Sequence, residues 1–179
     1  MWRAMLCLGS ALCLLLAVAR APYALATGDA AADEGCRAAL SWPVGDGNVA
    51  PTIVRGFDAP EQPWLAGHRG VDLATAPGET LNAPADGVIS FAGLVAGKQV
   101  VSIRHGPRLT TFEPAVGTLA VGASVTRGQP FAVVGESGDH CDGSCLHWGV
   151  REGERDYRDP AALAGTHRIR LRPVREPPE

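Results

Sequence analysis

The chain has 179 residues, 46% of them hydrophobic, and 16 Lys and Arg against 19 Asp and Glu for a formal net charge of −3. That length suits one domain plus appendages, and the apolar fraction is enough for a core. The mild charge excludes no fold, but it gives nucleic acid or an acidic polymer no footing as a partner.

The first segment reads as an export signal. Arg3 supplies a positive n-region, and an apolar run of mostly Leu and Ala follows from Ala4 to Ala19. Small-residue cleavage sites stand at Ala17-Val18-Ala19 and at Ala24-Leu25-Ala26. The second follows the helix-breaking Pro22 and is preferred, so residues 1–26 are expected to be a signal peptide. The run is short for a membrane span, which ranks an uncleaved anchor second. The mature protein is then expected outside the cell or at the cell wall, with no stable membrane association. Cys7 and Cys13 leave with the signal, and Cys36, Cys141 and Cys145 remain. Thiols pair in an oxidising compartment. The Asp142-Gly143-Ser144 turn favours a Cys141–Cys145 bridge. Pairing of Cys36 with either of them stays open.

Residues 27–41 are small, acidic in places and without periodicity, and read as a linker. A folded domain is expected over residues 42–164. Gly and Pro recur every few residues there. Between them lie short runs rich in β-branched residues: Gly87 to Ala92, Val100 to Arg104, and Pro130 to Val134. Each has strand length. His105-Gly106-Pro107-Arg108 reads as a hairpin turn into Leu109 to Phe112, and Gly122 to Gln129 as a polar turn into another strand. The expected class is all-β, an antiparallel sandwich or barrel-like core with few or no helices. Residues 165–179 form a basic, Pro-containing tail that reads as a solvated terminus.

Three residues in this domain carry metal chemistry. His68 and Asp72 lie in Gly67-His68-Arg69-Gly70-Val71-Asp72, and His147 in Cys145-Leu146-His147-Trp148. Two imidazoles and a carboxylate can hold one zinc ion and leave its fourth position to water, which makes hydrolysis at neutral pH possible. The glycines argue against a helix at His68, and an irregular loop running into a strand can direct both side chains to one point. If Leu146 to Val150 is a strand, Leu146 and Trp148 face one way and His147 the other.

Together these elements resemble the lysostaphin-type (LytM-domain) zinc metalloendopeptidases of bacterial cell walls. His68-Arg69-Gly70-Val71-Asp72 looks like the family's H-x-G-x-D element. Gly78 to Ile89 is similar to its G-T-P-V-x-A-x-x-x-G-x-V strand pair, and Gly122 to Gln129 to its V-G-D-x-V-x-x-G-Q turn. Gly135-Glu136-Ser137-Gly138 fits its G-x-S-G, and Cys145-Leu146-His147-Trp148 stands where it has H-L-H-F. The resemblance implies a LytM-type β domain and one zinc per chain held by His68, Asp72 and His147. It implies peptide bonds of peptidoglycan as substrate. It also exposes two departures. Cys145 occupies the usual general-base position, and Pro114 stands where a second helper histidine belongs in Phe112-Glu113-Pro114. Loss of a placed acid–base group costs about 10²–10⁴-fold. His140 is the expected substitute base, and Glu113 is a second candidate. A Cys141–Cys145 bridge would fold His140 toward the metal. Cys145 as a fourth ligand is disfavoured by its spacing. His105 reads as structural, and His167 lies past the domain.

Two functions compete: a secreted peptidase acting on wall peptides, and a catalytically degenerate module that binds the wall or regulates a partner hydrolase. The intact triad favours the first, and Cys145 with Pro114 the second. A carrier-like β domain is more remote, since Thr126-Arg127 stands where such a carrier needs an exposed lysine.

Overall fold

The computed structural model describes residues 38–62, 64–136 and 144–164. The expected signal peptide, residues 27–37 of the expected linker, the segment with His140 and Cys141, and the basic tail lie outside them.

Short β-branched runs broken by turn residues become strands, as their composition dictates. Among the described residues these are β1 (Ile53–Arg55), β2 (Gly70–Ala74), β3 (Thr80–Asn82), β4 (Gly87–Val95), β5 (Lys98–His105), β6 (Arg108–Glu113), β7 (Ala115–Gly117), β8 (Ser124–Val125), β9 (Pro130–Val134), β10 (Cys145–Glu152) and β11 (Asp156–Arg158). One short helix, α1 (Pro160–Ala164), follows. Asp159 caps it by accepting a hydrogen bond from the Ala161 amide at 2.9 Å, and Pro160 needs no donor at the first helical position. No helix among the described residues is long and apolar enough to cross a membrane.

All the strand pairs are antiparallel. The larger sheet runs β1-β2-β10-β6-β5-β4-β8, with β11 also paired to β10, and the smaller runs β3-β9-β7. The β5–β6 hairpin turns at Gly106-Pro107, as its sequence predicts. Gly106 takes φ +59°, the conformation that the first position of a type II′ turn requires.

The two sheets close on an aromatic core. Phe131 of the small sheet meets Phe112 of the large one with ring centroids 4.9 Å apart. Phe112 stacks near Trp148, and Trp42 meets Trp148 edge-on at 5.8 Å. Leu40, Val71, Leu73, Leu81, Ile103 and Leu146 fill in around them, all buried. Leu146, Trp148 and Val150 enter this core from one face of β10. The intervening residues Cys145, His147, Gly149 and Arg151 therefore share the opposite face, where the site lies.

Candidate metal centre

His68 reaches the site from the loop before β2, and its backbone is held by a two-way bridge. His68 N donates to Asp58 O at 2.7 Å, and Asp58 N donates to His68 O at 2.9 Å. Its Nδ1 lies 2.6 Å from the Gly56 carbonyl. A carbonyl only accepts, so Nδ1 carries the proton and Nε2 is the ring nitrogen turned inward, the one that can offer its lone pair to a metal. Such an outer partner fixes tautomer and ring angle in metal-bound histidines.

Asp72 and His147 meet through sheet register. His147 of β10 stands directly opposite Asp72 of β2, so the two side chains rise from one face. His68 Nε2 lies 3.1 Å from Asp72 Oδ1 and 3.0 Å from His147 Nδ1. His147 Nδ1 lies 2.9 Å from Asp72 Oδ1. A zinc tetrahedron with bonds of about 2.0–2.1 Å has ligand–ligand edges of roughly 3.3 Å, so small outward movements fit this triangle to one ion. A divalent cation satisfies all three lone pairs at once, which no single proton can do. The residues are unequally enclosed. His68 is 3% and Asp72 1% exposed, whereas the His147 side chain is 18% exposed and leaves a path from solvent.

The imidazole of His147 needs the glycine beside it. A Cβ on Gly70 would stand 2.8 Å from His147 Cε1 and Nε2 and would collide with the Trp148 carbonyl. The same row continues into β6, where Glu113 stands directly opposite His147. Glu113 Oε1 lies 3.1 Å from Lys98 Nζ, with its side chain 17% exposed. It is therefore an ion-paired, largely enclosed carboxylate next to the triad, not an ordinary surface charge.

The structure thus brings His68, Asp72 and His147 together as a candidate metal-binding triad. His140 and Cys141 fall outside the described residues. Cys145 is fully buried on the His147 face and is disulfide-bonded. A half-cystine has no thiol proton, so Cys145 in this state supplies neither a base nor a ligand. Its expected partner Cys141, like Cys36, is outside the described residues. Pro114 has no acid–base function. His105 ties strands together: Nδ1–H donates to Asp86 O at 2.9 Å, and Nε2 lies 3.0 Å from the Thr110 hydroxyl. Burial pushes its pKa below the ordinary value. Sequence reasoning missed the Gly56 carbonyl and Lys98, since neither lies in a motif. A hollow of about 520 Å³ bordered by Trp42, Asp46 and Arg127 includes none of the triad.

Residues 66–160 match the family model described as peptidase family M23. An uncharacterised protein of Mycobacterium tuberculosis is 39% identical over 140 residues, covering 75% of this chain and 55% of that protein. The chain thus spans about half the length of the curated relatives it matches. Helicobacter pylori Csd3 is similar in structure, with a TM-score of 0.59 and 25% identity over 76% of this chain and 38% of that one. A zinc-containing peptidase from Vibrio cholerae gives a TM-score of 0.53 and 26% identity, covering 65% of this chain and 37% of that one.

Proposed function

The chain belongs to peptidase family M23, and we propose that it is an exported zinc metalloendopeptidase acting on peptide bonds of bacterial peptidoglycan. The observation that carries this reading is the triangle of His68 Nε2, Asp72 Oδ1 and His147 Nδ1, with edges of 3.1, 3.0 and 2.9 Å. Zinc held there supplies Lewis acidity toward a peptide carbonyl and a water molecule. The protein's own contribution is arrangement. Gly56 holds the His68 tautomer through Nδ1. Gly70 leaves room for the His147 ring. Glu113, opposite His147, is a carboxylate within the active face that can take a proton from water. His140 remains the other candidate for that role. Residues 1–26 serve as the signal peptide, and Cys141 is the proposed disulfide partner of Cys145.

A second reading has its own support. Pro114 and the disulfide-bonded Cys145 stand at the two helper positions, and neither moves a proton. On this reading the domain keeps its metal and binds wall peptides or regulates a partner hydrolase without turnover.

One experiment separates the two. The protein processed at Ala26 and loaded with zinc is incubated with purified sacculi, and new amino termini are measured. New termini that disappear in His147→Ala support the peptidase. Metal-loaded protein that sediments with sacculi and releases nothing supports the binding module.

A further inference from the structure

The face that carries the triad continues past it into a second pocket, which contains none of the triad residues. Along β10 this face presents His147, then Gly149, then Arg151. Tyr157 of β11 stands directly opposite Arg151 and so rises on the same side. Trp64, Arg151, Glu154, Arg155 and Tyr157 line a pocket of about 380 Å³.

Its construction is specific. Trp64 is 75% exposed, an unusual cost for a large indole with no partner to cover it. The Arg69 guanidinium lies over the Tyr157 ring, 5.6 Å from its centroid, and Arg69 Nη2 donates to Leu65 O at 2.9 Å. Arg151 Nη1 donates to Glu154 O at 3.0 Å, which braces the β10–β11 turn. Arg155 is exposed and makes no hydrogen bond or ion pair with the described residues. Two guanidiniums of the lining, Arg151 and Arg155, therefore stand with one carboxylate, Glu154, and Arg69 over the Tyr157 ring adds a further positive charge beside the aromatic wall. That excess of positive charge matches an anion, and the planar fork of arginine matches a carboxylate above others.

Distance says where that carboxylate sits on a bound chain. Four residues of strand from His147 to Arg151 span roughly 13 Å. Gly149, with no side chain, is the one residue between them on this face. A peptide extended along the strand reaches the pocket about four residues from the group lying over the triad.

We propose that the Trp64–Arg155–Tyr157 pocket is a subsite for a carboxylate-bearing peptide segment, which Arg155 pairs with and Trp64 covers. This rests on the reading of the triad face as a peptide-binding groove. It does not rest on turnover.

The test reads binding alone. The tryptophan emission of the full processed chain, to which Trp42, Trp64 and Trp148 contribute, is titrated with the N-acetylated, C-amidated tetrapeptide Ala-Glu-Ala-Glu, its equally blocked uncharged counterpart Ala-Gln-Ala-Gln, and a neutral oligosaccharide, chitotetraose. Each titration is run with zinc and with chelator. The acidic peptide is expected to change the emission saturably and to bind at least about tenfold more tightly than the amide. Trp64→Phe should remove the signal, and Arg155→Gln should weaken acidic-peptide binding by about tenfold while leaving the thermal midpoint unchanged. Equal binding of the acidic and amide peptides, binding of the oligosaccharide alone, or an unaffected Arg155→Gln variant overturns the subsite. Failure to cleave sacculi leaves it standing, so the two proposals fail separately.

Discussion

Glu113 and His147 stand directly opposite each other in the β6–β10 pair, and His147 stands directly opposite Asp72 in the β10–β2 pair. Register alone therefore sets two carboxylates on either side of one imidazole across three adjacent strands. Asp72 is committed to the triangle with His68 and His147. Glu113 lies outside it and is ion-paired to Lys98 at 3.1 Å. The family pattern puts acid–base groups at the positions of Cys145 and Pro114, and this chain offers a carboxylate one residue before Pro114.

Glu113→Gln tests whether that carboxylate is used. The amide keeps the shape and cannot take a proton. Zinc content should match the parent, while release of amino termini from sacculi should fall by about 10²–10⁴-fold. Undiminished release would move the base to His140, and His140→Ala would then show the loss instead.

His147→Ala and Gly70→Ala disturb the triad from opposite sides. The first removes a ligand, so bound zinc measured by elemental analysis should fall from about one per chain to near zero. The second keeps every ligand and inserts a methyl group against the Trp148 carbonyl and 2.8 Å from the His147 ring. Displacing a ligand through its neighbour should weaken zinc binding by about 10–100-fold, seen by competition with a chromogenic chelator. Normal affinity in Gly70→Ala would mean that the ring has another place to go.

Much of this was legible in the sequence, for physical reasons that differ by residue. Pro130 to Val134 is a β-branched run bounded by turn residues, and it is β9 to the residue. β4 outruns its expected end at Ala92 because Gly93 reads as a breaker, yet pairing continues through Gly93, Leu94 and Val95 against Val100, Gln99 and Lys98. Ala96 at φ +50° and Gly97 at φ +83° then make the turn, where Asn-Gly would have announced it. The triad showed in its residue types. The place of Glu113 did not, because the facing of β6 on β10 depends on pairings between residues 34 to 44 positions apart, and no local pattern encodes them. The Trp64 pocket was invisible for the same reason, since it joins a loop before β2 to a hairpin some ninety residues later.

His105 makes stability depend on acidity. Burial, the largest influence, lowers its pKa in the folded protein, and the nearby Arg127 and Arg108 charges act the same way. The unfolded chain therefore binds a proton at a higher pH than the fold does. The stabilising difference is fully present above the unfolded value of about 6.5 and is lost as pH falls from there toward the depressed folded value. Urea midpoints measured at pH 7.5 and 5.5 should drop for the parent. The drop should be smaller for His105→Gln, which loses the strand tie at both pH values and has no proton to gain. Equal drops would assign the acid sensitivity to other groups.

Metal removal should be visible in stability as well as in activity. Without a cation, His68 Nε2, Asp72 Oδ1 and His147 Nδ1 turn polar atoms toward one another at 2.9–3.1 Å, and His68 and Asp72 are too enclosed for water to relieve them. A cation bound only by the fold stabilises it by RT ln(1 + [L]/Kd), about 2.7 kcal/mol at a hundredfold excess over Kd. For a domain of this size that corresponds to a rise in thermal midpoint on the order of 10 °C. Calorimetry of zinc-loaded protein with and without excess chelator should show that difference, growing with the logarithm of free zinc. Magnesium should not reproduce it, because imidazole nitrogens in a tight triangle suit zinc better than an octahedral, oxygen-seeking ion. A midpoint indifferent to zinc in the parent would mean that the triangle is held by hydrogen bonds alone.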